Sequence, residues 1–110
     1  QFDAGELDCL WLDDVLNNIP IDKVDDSFRN LVRLVKRGGS VIVNGTDIFE
    51  VSKSLSSYSI SIQDANKLLY DKGKCNCFSI AFVVETLKQY GLTVKTKRVN
   101  GYQYSVEATR

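Results

Sequence analysis

Two carboxylates and two amides follow directly on a short apolar run near the start of the sequence. Asp13 and Asp14 end the stretch LDCLWLDD, and Asn17 and Asn18 come soon after it. Residues 9–12 show no polar alternation, which is typical of a strand buried on both faces in a parallel sheet. Open α/β sheets bind ligands at the carboxyl ends of their strands. There a carboxylate can position a reacting group or take its proton, and an amide can orient it.

A second polar group follows the next apolar run, SVIVNG. Asn44, Thr46 and Asp47 lie where that predicted strand ends, on the same rim of the sheet, and are candidate contacts to a substrate. The alternative interpretation of both groups is structural. Asp47 then caps the helix that begins after it, Asp13 and Asp14 cap the turn after the first strand, and the asparagines are loop residues.

Composition excludes several kinds of chemistry. The 110 residues include no histidine, which rules out a Ser-His-Asp triad and histidine-ligated metals. There are three cysteines, and Cys75-Asn76-Cys77 has no further ligands nearby, so we expect reduced thiols, no metal site and a cytoplasmic protein. A formal net charge of zero gives no support for nucleic-acid binding. No apolar run approaches the roughly 18 residues that indicate a membrane span.

The stretch VKRGGSVIVNG, residues 35–45, contains a Gly-Gly pair that invites comparison with a phosphate-binding loop. Apolar residues recur at helical spacing over residues 22–39, which predicts a helix that ends in a left-handed cap at Gly38. Gly39 then leads into the strand. A Walker loop connects the end of a strand to the start of a helix, whereas these glycines lie between the predicted end of a helix and the start of a strand. We therefore interpret them as residues that end the helix and begin the strand, without a role in phosphate binding.

The remaining pattern predicts the order β-α-β-α-α-α-β-β. Strands are expected near residues 8–13, 40–45, 92–99 and 102–109, with the first two parallel. Helices are expected from Asp47, over residues 61–73 and over residues 78–91. Asn100-Gly101 lies between two alternating runs, which predicts a hairpin with a type I′ turn. Trp11 lies in the middle of the first strand and is expected in the core.

Two segments together resemble a known family. ELDCLWLDDVLNNIP followed by LVRLVKRGGSVIVNGTDI is similar to the second half of class I S-adenosylmethionine-dependent methyltransferases. Asp8 occupies the place of the aspartate that begins the family's fourth strand, while Asn18 and Arg37 stand where the family often has histidine and proline. The resemblance implies a three-layer α/β fold whose four-stranded mixed sheet has the family's strand order 4-5-7-6 and a C-terminal β-hairpin.

The resemblance also implies a function. Residues 1–110 are then one domain, a partial methyltransferase-like fold without the N-terminal half that holds most of the cofactor. The implied cofactor of the parent protein is S-adenosylmethionine, with Asp13 and Asp14 beside its methionine end. Asp13, Asp14, Asn17 and Asn18 are the candidate catalytic residues. We expect a fragment of a longer protein that is inactive alone; the alternatives are a non-catalytic, self-associating remnant and a small α/β binding module.

A missing first half has a consequence for association. In the complete family fold the strand that matches residues 8–13 is central, so here it becomes an edge. Apolar edges without proline or lysine recruit other strands. We therefore expect a homodimer through the edge at residues 8–13, most simply a two-fold pair.

Overall fold

A computed structural model of the chain describes residues 5–70 and 76–110. Four strands form one sheet: Leu7–Asp13 (β1), Val35–Thr46 (β2), Thr93–Asn100 (β3) and Gln103–Thr109 (β4). Four α-helices accompany them: Val24–Arg33 (α1), Ile48–Ser56 (α2), Ile62–Tyr70 (α3) and Ile80–Gln89 (α4). Two short 3₁₀ turns, Leu16–Asn18 and Ile21–Lys23, lie on either side of Pro20, because proline prevents a continuous helix there.

The sheet is mixed and has the order β1-β2-β4-β3. β1 and β2 are parallel, whereas β4 is antiparallel to both β2 and β3. This confirms the predicted α/β class, the parallel first pair and the order 4-5-7-6 in the numbering of the resembling family. The carboxyl ends of β1 and β2 therefore lie side by side.

Helices α1 and α4 pack on one face of this sheet. Phe28 and Val32 of α1 and Leu87 of α4 are buried with the apolar residues of the strands, and the Phe28 ring contacts the edge of Tyr90 at a centroid distance of 5.4 Å. We call this the helix face. The strand residues buried against it are Leu12, Val41, Val43, Tyr104, Val106 and Ala108.

The opposite face, which we call the open face, is not covered by a helix in the described part of the chain. Cys9 is exposed there, and Trp11 is 63% exposed. The prediction that Trp11 lies in the core was wrong, because the run at residues 9–12 is buried on one face only. Two layers of the expected three are thus present within residues 5–70 and 76–110.

The Gly-Gly pair lies inside a strand rather than at the end of a helix. Helix α1 ends at Arg33, earlier than predicted, because the carbonyl of Arg33 accepts hydrogen bonds from the Gly5 amide (2.9 Å) and the Arg110 guanidinium (3.0 Å). β2 begins at Val35, and its pairing with β1 is irregular between Val35 and Ser40. Gly38 does have a positive φ of 84°, but as part of this irregular segment and not as a helix cap.

The C-terminal hairpin is confirmed, with its turn displaced by one residue. Asn100 pairs with Gln103, so Gly101 and Tyr102 are the central residues of the turn. Only Gly101 has a positive φ, of 63°. The predicted type I′ turn requires a positive φ at both central residues and is therefore not formed.

Candidate functional site

The carboxyl ends of β1 and β2 bring the two predicted polar groups together. Asp13 is paired with Asn44 in the register of the sheet, and the Asp14 amide donates to the Asn44 carbonyl at 3.0 Å. Successive residues of a strand point to opposite faces. The predicted site residues are consequently divided between the open face and the helix face.

Asp13 and Asn44 belong to the open face. With its amide oriented to suit its neighbours, Asn44 accepts a hydrogen bond from the Trp11 indole (3.0 Å) and donates one to the Ser105 hydroxyl (2.7 Å). Asp13 is exposed beside it. Trp11, predicted as a core residue, is thus a neighbour of the candidate site.

A cavity of about 370 Å³ opens beside Asp13 and Asn44. The other five lining residues come from the C-terminal hairpin and were not predicted as site residues: Arg98, Asn100, Gln103, Tyr104 and Ser105. They are distant from Asp13 in sequence, and only the topology places β4 next to β2. Apolar and polar residues alternate along β4, and this pattern could have indicated that Ser105 lies on the open face, opposite Tyr104 and Val106.

Asp14 and Asn17 lie toward the interior. Asp14 has a φ of 58°, a left-handed conformation that aspartate and asparagine adopt more readily than other residues besides glycine. Its carbonyl accepts a hydrogen bond from the exposed Asn18 side chain at 2.8 Å. Asn17 is only 1% exposed. It exchanges two hydrogen bonds with Asn76: its Nδ2 donates to the Asn76 carbonyl, and the Asn76 amide donates to its carbonyl.

Thr46 and Asp47 are both buried. Asp47 accepts hydrogen bonds from the amides of Phe49 (2.8 Å) and Glu50 (3.3 Å) with one oxygen, which confirms the predicted cap of α2. Its other oxygen accepts from the Ile80 amide at 2.9 Å, in the first turn of α4. One carboxylate therefore fixes the start of two helices.

Gly45 lies near the end of β2, and its lack of a side chain has a steric reason. A Cβ at this position would approach the Tyr104 hydroxyl at 2.7 Å, Asn17 Oδ1 at 2.8 Å and the Tyr104 ring at 2.9 Å. The aromatic ring of β4 thus crosses directly over the backbone of β2. Burial, reinforced by the nearby Cys77, Asp14 and Asp47, raises the pKa of the Tyr104 phenol, which therefore stays protonated.

We expect Gly45→Ala to lower the free energy of unfolding by about 1–3 kcal/mol, because the added methyl must displace a buried ring. Chemical denaturation measures the loss. Gly38→Ala is the control: it has a positive φ but no atom within 4 Å of the added Cβ, so it reports backbone strain without a clash. Tyr104→Phe in the Gly45→Ala background should recover part of the loss. An unchanged stability in Gly45→Ala would contradict the packing argument.

Comparison with solved structures identifies the fold. An O-methyltransferase family protein from Burkholderia thailandensis matches 99% of the chain with a TM-score of 0.69 at 20% identity, over 32% of its own length. A SAM-dependent methyltransferase from Methanosarcina mazei matches 99% with a TM-score of 0.68 at 14% identity, over 61% of its length. No protein-family model and no curated protein matches the sequence.

The chain has a partial methyltransferase fold.

The chain spans between 30% and 61% of the length of the methyltransferases that it matches. Magnesium protoporphyrin IX methyltransferase from Synechocystis PCC 6803, solved with bound SAH, is similar over 98% of the chain and 47% of its own length, at 17% identity and a TM-score of 0.66. Within this methyltransferase fold, none of the helices in the described part of the chain is long and apolar enough to cross a membrane. Nor do three or more His, Cys, Asp or Glu side chains converge there in a metal-binding group.

Proposed function

We propose that this chain is the C-terminal portion of a SAM-dependent methyltransferase and forms the rim of the active site on the substrate side. The observation that carries the proposal is the topology. A parallel pair followed by an inserted antiparallel strand, in the order β1-β2-β4-β3, matches methyltransferases over almost the whole chain. In an open α/β sheet the carboxyl ends of the parallel strands are where ligands bind, and the predicted site residues lie there.

The two sides of the rim suggest different roles for the candidate residues. Asp13 is exposed and borders the cavity, so its carboxylate can position the methyl acceptor, take its proton or contact the charged methionine end of SAM. Asn44 borders the same cavity, and its amide oxygen, which accepts one hydrogen bond from the Trp11 indole, has a second lone pair for the substrate. On the proposed mechanism, Asn17, Asn18, Thr46 and Asp47 act by holding the rim in place.

The residues that are present fit one end of the cofactor only. Asp13 and Asp14 are the carboxylates at the end of β1, and Asp14 has one oxygen that is buried without a protein partner among the described residues. The glycine-rich loop and ribose-binding acid of the family have no counterpart in this chain. When bound, SAM supplies an electrophilic methyl group, and the chain's own residues orient the group that receives it.

We therefore expect the isolated chain to bind SAM very weakly, with no heat of binding measurable by calorimetry at micromolar protein. A longer product of the same gene that adds a glycine-rich strand-loop-helix before Gln1 should bind SAM with a micromolar dissociation constant. Micromolar binding by the 110 residues alone would overturn the proposed division between the two halves. A longer product that neither binds SAM nor transfers methyl groups would overturn the function.

A non-catalytic, self-associating chain is the second candidate, and the exposed surface of β1 favours it. β1 is an edge strand that pairs only with β2 among the described residues, and Trp11 and Cys9 are exposed along it. Unprotected edges and exposed apolar residues promote association. We propose a homodimer in which β1 pairs with its copy.

Lysine at Cys9 or Trp11 should weaken this dimer about tenfold, because the two-fold axis would bring like charges close together. Both side chains point away from the core, whereas Leu12 is 3% exposed, so Leu12→Lys would also unfold the protein. Thr96→Lys is the matched control, because Thr96 lies in the same row of the open face on the far edge strand. Sedimentation measures the association, and a folded monomer at tens of micromolar would contradict the dimer.

A further inference from the structure

The edge of the sheet at β3 carries three exposed basic side chains, those of Lys95, Lys97 and Arg98. β3 is an outer strand in the order β1-β2-β4-β3, and among the described residues it pairs only with β4. Edge strands invite pairing with further strands, whereas basic side chains oppose pairing with a strand of the same charge. A second copy of β3 is therefore a poor partner for this edge, and an acidic strand is a suitable one.

A bulge limits the part of β3 that can accept another strand. The pairing of β3 with β4 shifts between Val94 and Thr96, so Lys95 is the extra residue on the bulged strand. From Thr96 to Asn100 the pairing is regular. A regular edge strand leaves alternate backbone N–H and C=O groups without partners, and an extended peptide can use them. The segment at residues 96–100 is therefore the part of this edge that is suited to strand addition.

An apolar groove, which we call the edge groove, lies beside this segment between β3 and α4. It consists of two adjoining cavities of about 380 Å³ and 170 Å³, both lined by Val84, Lys88 and Lys97. Val99 lies on the helix face, because it pairs with the buried Tyr104. Protection against unwanted pairing explains the basic residues of β3, but it does not explain an apolar groove beside them. The apolar residues that line the edge groove are Ile80, Ala81, Val84, Val94 and Val99.

The charges around the edge groove indicate the kind of partner. Lys88, Lys95, Lys97 and Arg98 line it, and none of them forms an ion pair with another described residue. Glu85 is the one acidic residue among the described residues that line either cavity. The local charge is therefore positive, although the whole chain is neutral. Complementary charge favours the encounter with an acidic partner and disfavours a basic one.

We propose that the β3 edge binds an acidic, extended segment of a partner protein, which adds a strand to the sheet at residues 96–100. The side chains of an added strand alternate between the two faces. On the helix face, an apolar side chain beside Val99 enters the edge groove and an acidic one meets Lys97. On the open face, a second acidic side chain meets Arg98. This interaction does not involve methyl transfer, so its failure and that of the proposed function are distinguishable.

A synthetic peptide tests the proposal on the whole chain. The probe is a fluorescently labelled peptide with a central valine and two glutamates on each side, so that its sequence fits β3 in either strand direction. Fluorescence anisotropy should show saturable binding that weakens as salt is added. A peptide with lysines in place of the glutamates should not bind. The absence of saturable binding of the acidic peptide up to about 1 mM protein, or equal binding of the lysine peptide, would overturn the proposal.

Two charge reversals locate the binding site. Lys97→Glu should weaken binding of the acidic peptide about tenfold or more, because repulsion replaces attraction beside the edge groove. Lys67→Glu is the matched control: it changes the net charge equally, but Lys67 is an exposed residue of α3 that lines neither cavity. Both side chains are exposed, so both variants should fold. Equal weakening in the two variants would show attraction by net charge alone and would overturn the assigned site. Arg98 is left unchanged because it also lines the cavity beside Asp13.

Methylated peptides distinguish strand addition from adsorption to a charged surface. In an added strand, alternate peptide amides donate to the backbone of β3, and those between them face away. N-methylation of one alternate set should therefore abolish binding, whereas N-methylation of the other set should leave it intact. In the protein, amide hydrogen exchange at residues 96–100 should slow when the unmodified peptide binds. Equal binding of the two methylated peptides, or unchanged exchange at residues 96–100, would overturn strand addition.

Discussion

Replacing Asp47 with alanine is expected to lower the free energy of unfolding by about 3 kcal/mol. The carboxylate is 1% exposed and accepts hydrogen bonds from the amides of Phe49, Glu50 and Ile80. Its removal leaves these backbone donors without their acceptor at the starts of two helices. The loss exceeds that of an ordinary helix cap, because α2 and α4 lose their anchor together. Urea denaturation followed by circular dichroism measures it.

Two comparisons make the Asp47 result interpretable. Ser79→Ala removes the cap of α4 alone, where the Ser79 hydroxyl accepts from the Phe82 amide, and should cost about 1 kcal/mol. Asp47→Asn preserves the shape and one acceptor oxygen, so it should fall between the wild type and Asp47→Ala. If Asp47→Ala costs no more than Ser79→Ala, Asp47 does not join the two helices.

In a longer product of the same gene that has methyltransferase activity, Asp13→Ala should reduce kcat/KM for methyl transfer by about 100-fold. Its free energy of unfolding should change by less than about 0.5 kcal/mol, because Asp13 is exposed. The proposed reason is the loss of the carboxylate that positions or deprotonates the acceptor. Initial-rate measurements together with thermal denaturation test both halves of this prediction.

Asn17→Ala provides the contrast. Asn17 is buried and bonded to Asn76, so its loss should lower stability as well as activity. Asp13→Asn should retain more activity than Asp13→Ala if the role is positioning, and equally little if the role is proton transfer. A stability loss in Asp13→Ala that matches the activity loss would assign Asp13 a structural role only.

Much of the fold was predictable from local patterns in the sequence. The alternation of Tyr104, Val106 and Ala108 placed β4 with one buried face, and the acidic residue at Asp47 marked the start of α2 correctly. These signals depend on neighbours in sequence. The prediction for Trp11 was wrong for the opposite reason. Whether an apolar strand is covered on one face or on two depends on segments that pack against it from distant parts of the sequence.

The candidate site was predictable only in part. Residues at the ends of two successive strands, such as Asp13 and Asn44, could be expected to meet because parallel strands bring their carboxyl ends together. Arg98 and Ser105 were not named as site residues: the family resemblance implied that β4 lies next to β2, but no pattern in the hairpin itself shows which of its side chains reach the cavity. The helix end at Arg33 was also missed, because the groups that bind its carbonyl, the Gly5 amide and the Arg110 guanidinium, are distant in sequence.

The position of β4 in the sheet has a consequence for how the protein is made. β4 is the last strand in the sequence, yet it lies between β2 and β3. During synthesis, β1, α1 and β2 emerge before β3 and β4, so the edge of β2 that pairs with β4 stays unpaired until residues 103–109 follow. At about 5–20 residues per second this interval lasts several seconds, during which β2 is open to mispairing with other chains. A chain that ends before Gln103 would therefore lack an interior strand of the sheet, β4, rather than an edge strand.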